Sequence, residues 1–351
     1  MKNLSYLIGF VVMAGICFAC SQPETYRETS GQLHTSYHIK YKYNKDLTPE
    51  IDEKLKLFYH IFNAFDSTSV ISQVNRNEIR EVTDDIFLKA LRTAQQIAVY
   101  TEGAYDITCA PLINLWGFGY NNQNSVSPEH IDSVKAFIGF EKLQIEKKQI
   151  IKADPRMQLN CSSLADGTVC DMIADLFDSK GINHYMIEFG GEIAAKGINP
   201  KGSAWKIGIN KPSDDKEGIN QELECIVQYQ PEQTQKTVRF GMATSGNYRN
   251  FYIKDGKRYA HTIDPKLGAP VQKDVLSATI IAPSGMIADA CATACMVLGS
   301  KGAAQLKEKL PEIEYYLICT GDSIQEYRIV ESDGFNRFKY NSAHISSGQA
   351  N

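Results

Sequence analysis

The segment from Met286 to Leu298 is apolar on nearly every side, yet it carries Asp289 and Thr293. Ala288, Ala290, Cys291, Ala292, Ala294, Cys295, Met296, Val297 and Leu298 supply the rest of it, and a helix of that composition must be buried. Residues four apart share one helix face, so a carboxylate and a hydroxyl stand together on an interior surface. A buried carboxylate needs a charge partner or a metal ion, and Asp and Thr oxygens suit a hard divalent cation such as Mg²⁺. The competing reading is that Thr293 bonds its own helix backbone while Asp289, near the first turn, caps a neighbouring loop.

Three further segments offer chemistry. Asn160-Cys161-Ser162-Ser163-Leu164-Ala165-Asp166-Gly167 is a small-residue loop feeding a helix start, where free N–H groups can hold phosphate oxygens. Asp166 can equally cap that helix. Ala243 to Tyr248 is followed by a hairpin and then His261-Thr262-Ile263-Asp264-Pro265. His261 near a strand end is placed to take a proton from a hydroxyl, although a lone strand histidine also serves structure. Gly103 to Gly119 is rich in aromatic residues and glycine, too irregular for a helix and too apolar for a surface loop. It can line a pocket for a flat ring, or Trp116, Phe118 and Tyr120 can be core.

The elements that must position these groups are legible from periodicity. Thr48-Pro49 gives an N-cap and a first-turn proline, and Ile51, Leu55, Phe58 and Phe62 recur at helical spacing over 49–64. Helices follow over 84–102, from Ser127-Pro128, and over 168–180, where Val169, Met172, Ile173, Leu176 and Phe177 form the apolar face. Strands are predicted at 185–189, 205–209, 223–229, 275–282 and 315–319, with a hairpin turning on Asp255-Gly256. Helices interspersed with mostly antiparallel strands make the class α+β. No linker or repeat divides the chain, and the polar tail after Ser332 reads as weakly ordered.

With 43% hydrophobic and 22% charged residues the chain can bury a real core. Its net charge of −4, with scattered rather than clustered Lys and Arg, argues against nucleic acid as a partner. At the N-terminus, Lys2 precedes an apolar run from Leu4 to Ala19 that stops at Cys20. That run is short of the ~20 residues of a spanning helix and reads as a secretion leader over 1–19, cleaved before a lipidated Cys20, with 20–32 as tether. An ordinary cleaved signal peptide is the alternative. Of nine cysteines, removing Cys17 and Cys20 leaves an odd, irregularly spaced seven, which disfavours a disulfide framework. Cys291 and Cys295 read as buried small hydrophobes.

Taken in order, these segments resemble the FAD:protein FMN transferases, the ApbE lipoprotein family. The likeness runs from about Leu33 to Gly299 and includes Phe65 to Asn75, Gly103 to Gly119, Ala165 to Asp171, Glu188 to Glu192, Trp205 to Pro212, Ala243 to Tyr248, His261 to Pro270 and Ala288 to Gly299. The resemblance implies an architecture like the tunnelling fold over 33–331, with mixed or antiparallel sheets and packed helices, and 332–351 as a tail. It implies a metal held by Asp289, Thr293 and an oxygen from Ser163. It also implies FAD contacts from Leu33, Phe65, Ala104, Tyr105, Asp106, Asn160, Asp166 and Ile263, with His261 as base.

The implied reaction is Mg²⁺-dependent transfer of FMN from FAD to a Thr or Ser hydroxyl of an acceptor protein, with AMP leaving. Implied partners are FAD and envelope proteins with FMN-binding-type domains, such as subunits of Na⁺-pumping NADH:quinone oxidoreductase or the Rnf complex. The implied location is a bacterial membrane, lipid-anchored and facing the periplasm. Two other readings stay open at this level: an Mg²⁺-dependent FAD pyrophosphatase, and a non-catalytic FAD-binding lipoprotein.

Overall fold

The computed structural model describes residues 23–119, 126–212, 222–228, 238–247, 251–254, 257–321 and 326–340. The leader, Cys20, Tyr120, Tyr248 and the Asp255-Gly256 turn lie outside them. Eight strands form one sheet: β1 (Thr25–Gln32), β2 (Ser36–Tyr43), β3 (Tyr185–Phe189), β4 (Glu192–Lys196), β5 (Phe240–Gly246), β6 (Val275–Ala282), β7 (Glu314–Thr320) and β8 (Tyr327–Glu331). Their spatial order follows chain order and every neighbouring pair is antiparallel. The class is α+β as expected, and the arrangement is compatible with a tunnelling-like architecture.

Period-two alternation splits these strands between two cores. Ile39, Tyr41, Ile187, Ala194, Ala278, Ile280 and Leu317 face the larger one. Over it lie α1 (Thr48–Phe62), α2 (Asp85–Tyr100), α3 (Ser162–Ser179) and α4 (Gly285–Lys309, broken at Gly299). Ile193, Ala195, Met242, Ile281 and Ile318 face the smaller core, beneath Trp205, Ile207, Val227, Phe335 and Phe338.

The packing of α3 on α4 builds the site. A Cβ at Gly167 would lie 2.2 Å from the Gly285 carbonyl oxygen and 2.9 Å from Asp289 Cβ, so the helices meet backbone to backbone and only glycine fits. Asp171, one turn further along α3, accepts from the Gly285 and Met286 N–H groups at 2.9 Å each. It thereby caps α4 from the neighbouring helix, satisfying two of the four orphan donors at that end.

Three segments differ from the sequence reading. Helix α3 starts at Ser162 rather than 168, because Gly167 sits inside the helix for the contact just described instead of ending a loop. Residues 25–32, expected within the tether, pair along their whole length with β2 as an edge strand. The tail begins with a 3₁₀ turn, Asp333–Phe338, whose Phe335 and Phe338 anchor it in the smaller core.

Candidate active site

A cavity of about 550 Å³ opens where the N-terminal end of α3, the face of α4, the β3–β4 turn, β5 and the His261 segment converge. Its wall includes Ala104, Tyr105, Asp106, Asn160, Ser163, Asp166, His261, Ile263, Asp289 and Thr293. Residues scattered over almost two hundred positions are thus brought to one place. Leu33 and Phe65 are not part of this wall. They are 43% and 83% exposed, Leu33 in the β1–β2 turn and Phe65 just past the end of α1.

On α4, Asp289 is buried, and its Oδ2 accepts the Gly167 N–H at 3.1 Å. It does not cap a loop; it faces the cavity. Burial, and after it the charge of Asp166, push its pKa up to about 8. One turn on, Thr293 Oγ1 lies 3.2 Å from Ser245 Oγ on β5, so its hydroxyl is turned to the sheet and cavity. Ser163 Oγ donates to the Tyr105 hydroxyl at 3.0 Å, and burial holds that phenol well above its ordinary pKa, hence neutral.

Sequence reasoning missed Glu192. It lies in the same wall, and burial together with Asp289 and Asp166 raises its pKa well above the carboxylate range. Gly190, at φ +69°, makes the crowding possible: a Cβ there would stand 2.9 Å from Asp166 Oδ2 and 3.2 Å from Glu192 Oε2. The Glu188 to Glu192 motif carried the signal, but half-buried strand ends often hold glutamate for solubility alone. Thr244, Ser245 and Asn210 also line the wall.

The remaining motifs position the wall. Asn75 donates to the Leu159 carbonyl at 2.9 Å and accepts the Leu159 N–H at 2.7 Å. Lys152 Nζ donates to the carbonyls of Val74, Asn75 and Met157 at 3.0, 3.2 and 2.9 Å. Together they fix the strand-like approach to Asn160, whose own N–H reaches the Ile107 carbonyl at 2.7 Å. Trp116 is partly buried, donating Nε1–H to the Gly268 carbonyl at 2.8 Å, and packs with Leu112 and Ile263. Phe118 and Ile113 from that stretch reach the cavity. The stretch itself contains a short helix, Ala110–Leu115, that Pro111 starts.

Four carboxyl groups, of Asp106, Asp166, Glu192 and Asp289, face this cavity, while among the described residues its wall holds no lysine or arginine. The ionised forms of these groups would repel an anionic ligand, and a bound cation would favour their ionisation and offset that repulsion. Among the described residues no three His, Cys, Asp or Glu side chains converge as metal ligands. The expected donor set is of another kind, the Asp289 carboxylate, the Thr293 hydroxyl and an oxygen of Ser163, and these hard oxygens fit a cation such as Mg²⁺.

Asp106 has a consequence for stability. Burial lifts its pKa to about 6, against the lowering effect of the Thr108 N–H that it accepts at 2.8 Å. The unfolded value is about 3.9, so ionisation favours the unfolded chain. The protonated group's contribution is complete below the unfolded pKa and is lost as pH rises through about 6. Asp106→Asn is expected to gain about 2 kcal/mol relative to wild type between about pH 4 and about pH 8. Urea unfolding at both pH values checks this, and a stability gap that does not change with pH would refute it.

A family model described as the ApbE family matches residues 33–317. An FAD:protein FMN transferase of Vibrio cholerae is 34% identical over 339 residues, 93% of this chain and 97% of that protein. One of Haemophilus influenzae is 34% identical over 340 residues, covering 92% and 95%. Among solved structures, the flavin transferase ApbE from Vibrio cholerae superposes with a TM-score of 0.76 at 32% identity, over 90% of this chain and 100% of that one. The apo form of Pseudomonas stutzeri flavinyl transferase ApbE gives 0.75 at 28% identity, over 90% and 97%.

Proposed function

Because this chain belongs to the ApbE family, we propose that it splits FAD at the diphosphate and esterifies the FMN half to a Thr or Ser hydroxyl of an acceptor protein. The observation that carries this reading is the cavity whose wall joins Asp289, Thr293 and Ser163 to His261 while offering no lysine or arginine among the described residues. A cation would let these carboxyls ionise beside a dinucleotide diphosphate without repelling it, and that supports the Mg²⁺-dependent reading.

Asp289, Thr293 and Ser163 would hold the ion, which when bound supplies charge neutralisation at the diphosphate. Ile113, Phe118 and Ile263 offer an apolar surface for a flat ring. His261 takes the proton from the acceptor hydroxyl as its oxygen attacks the phosphorus next to riboflavin. The bond from that phosphorus to the bridging oxygen breaks, AMP departs with the bridging oxygen, and a new phosphoester joins FMN to the acceptor. Positioning and electrostatics are most of what phosphoryl transfer asks of a protein.

The lipid anchor at Cys20, the periplasmic face of a bacterial membrane, and acceptors with FMN-binding-type domains such as Na⁺-pumping NADH:quinone oxidoreductase or Rnf-like subunits complete the proposal. Incubation with FAD, Mg²⁺ and such a domain is expected to leave the acceptor heavier by one FMN, with AMP released in equal amount. AMP and FMN formed without acceptor would favour a pyrophosphatase. Firm FAD retention with no AMP would favour a binding protein.

A further inference from the structure

A side chain from the β1–β2 turn reaches Asp166 at the cavity edge. His34 Nε2 lies 3.3 Å from Asp166 Oδ1 and 3.5 Å from Oδ2. The other ring nitrogen, Nδ1, meets the Tyr59 hydroxyl of α1, and that hydroxyl also accepts the His34 backbone N–H at 3.1 Å. A phenol has one proton to give. When it gives that proton to Nδ1, the ring hydrogen sits on Nε2 and points at the carboxylate.

The ring is also held by packing. Phe58 stacks on it at a centroid distance of 6.4 Å, and Phe189 tilts against it at 5.3 Å. Thr35, the next residue, packs at Gly190, where an added Cβ would come within 3.1 Å of Thr35 Cγ2 and 2.9 Å of Asp166 Oδ2. The turn, the carboxylate and Gly190 therefore form one close-packed corner.

That corner matters because of the sign of the cavity. Asp166 faces a space where a diphosphate is to lie, among three other carboxyl groups. A hydrogen bond to Oδ2, with Oδ1 also 3.3 Å from the ring nitrogen, orients the group and draws off part of its charge. On the FAD reading above, we propose that His34 is a positioning residue for the nucleotide. The chain Tyr59 to His34 to Asp166 holds the carboxylate against the wall as an oriented acceptor for a hydroxyl or N–H of the dinucleotide, and limits its repulsion of the phosphates.

The test is FAD affinity, read by flavin fluorescence titration with Mg²⁺ present, alongside transfer kinetics, on the full chain and its variants. His34→Ala is expected to weaken FAD binding about tenfold, with the loss falling on KM rather than kcat. His34→Gln, which keeps an N–H donor, recovers most of the affinity. In an Asp166→Asn background, adding His34→Ala changes affinity by less than about twofold, because the group it acts through is gone. An equal loss in both backgrounds would make His34 a merely structural residue and overturn the proposal. So would unchanged affinity in His34→Ala while wild type binds FAD. A wild type that binds no FAD would bring down the functional reading and this inference together.

Discussion

Asp289→Asn is expected to lower transfer about a thousandfold, equivalent to ~4 kcal/mol of barrier, while leaving the metal-free protein no less stable than wild type. The two halves of this expectation come from one fact. Asp289 is buried beside Asp166, and that surrounding disfavours its charge. In the absence of a cation the carboxylate is a cost to the fold. Asparagine keeps an oxygen able to accept the Gly167 N–H and removes that cost. Added Mg²⁺ should raise the thermal midpoint of wild type, because a ligand that binds only the folded state stabilises it by mass action. The variant should show little of that rise. Thermal scans with and without Mg²⁺, beside the acceptor mass-shift assay, read both effects. Transfer near the wild-type rate, or an equal Mg²⁺-dependent rise in the variant, would remove Asp289 from the proposed metal site.

Such a residue was legible in the sequence because it broke a pattern. Asp289 and Thr293 are the polar exceptions in an otherwise apolar helix, and the four-residue spacing alone put them on one side. The larger core was legible for the same reason, since α1 and α2 carry plain helical periodicity, β3 alternates buried and half-buried residues, and β6 is rich in β-branched residues. What could not be read was long-range. Gly167 looks like a helix breaker until Gly285 is seen to press on it. Glu192 looks like a solvent-facing strand end until the β3–β4 turn folds it into the cavity. Strand β1 has the polar composition of a tether and is held by its backbone pairing with β2. Phe335 and Phe338 are two aromatic residues in a polar stretch, and only the sheet face away from the helices, which they help to bury, explains why they are there. Leu33 and Phe65 came from resemblance alone, and no local pattern indicated which way either would point.

His261→Gln is expected to lower kcat by about a hundredfold to ten-thousandfold, the range for losing a general base, with FAD affinity changed little. The backbone that follows His261 is held without the imidazole. Thr262 Oγ1 donates to Asn247 Oδ1 at 3.0 Å, and the Val271 N–H reaches the Thr262 carbonyl at 2.9 Å. Asp264 Oδ1 then accepts from the Lys266 and Leu267 N–H groups at 2.9 and 3.1 Å, closing the turn that follows. Removing the ring should therefore leave Thr262 and Ile263 at the cavity wall and the nucleotide's surroundings nearly intact. The affected quantity is the proton transfer from the acceptor hydroxyl, so the defect belongs in kcat and should shrink as rising pH ionises more of that hydroxyl unaided. Single-turnover flavinylation across a pH series, beside fluorescence titration of FAD, separates the two terms. If the variant instead loses FAD and keeps its kcat, His261 is a wall residue, and the base must be sought elsewhere in the cavity.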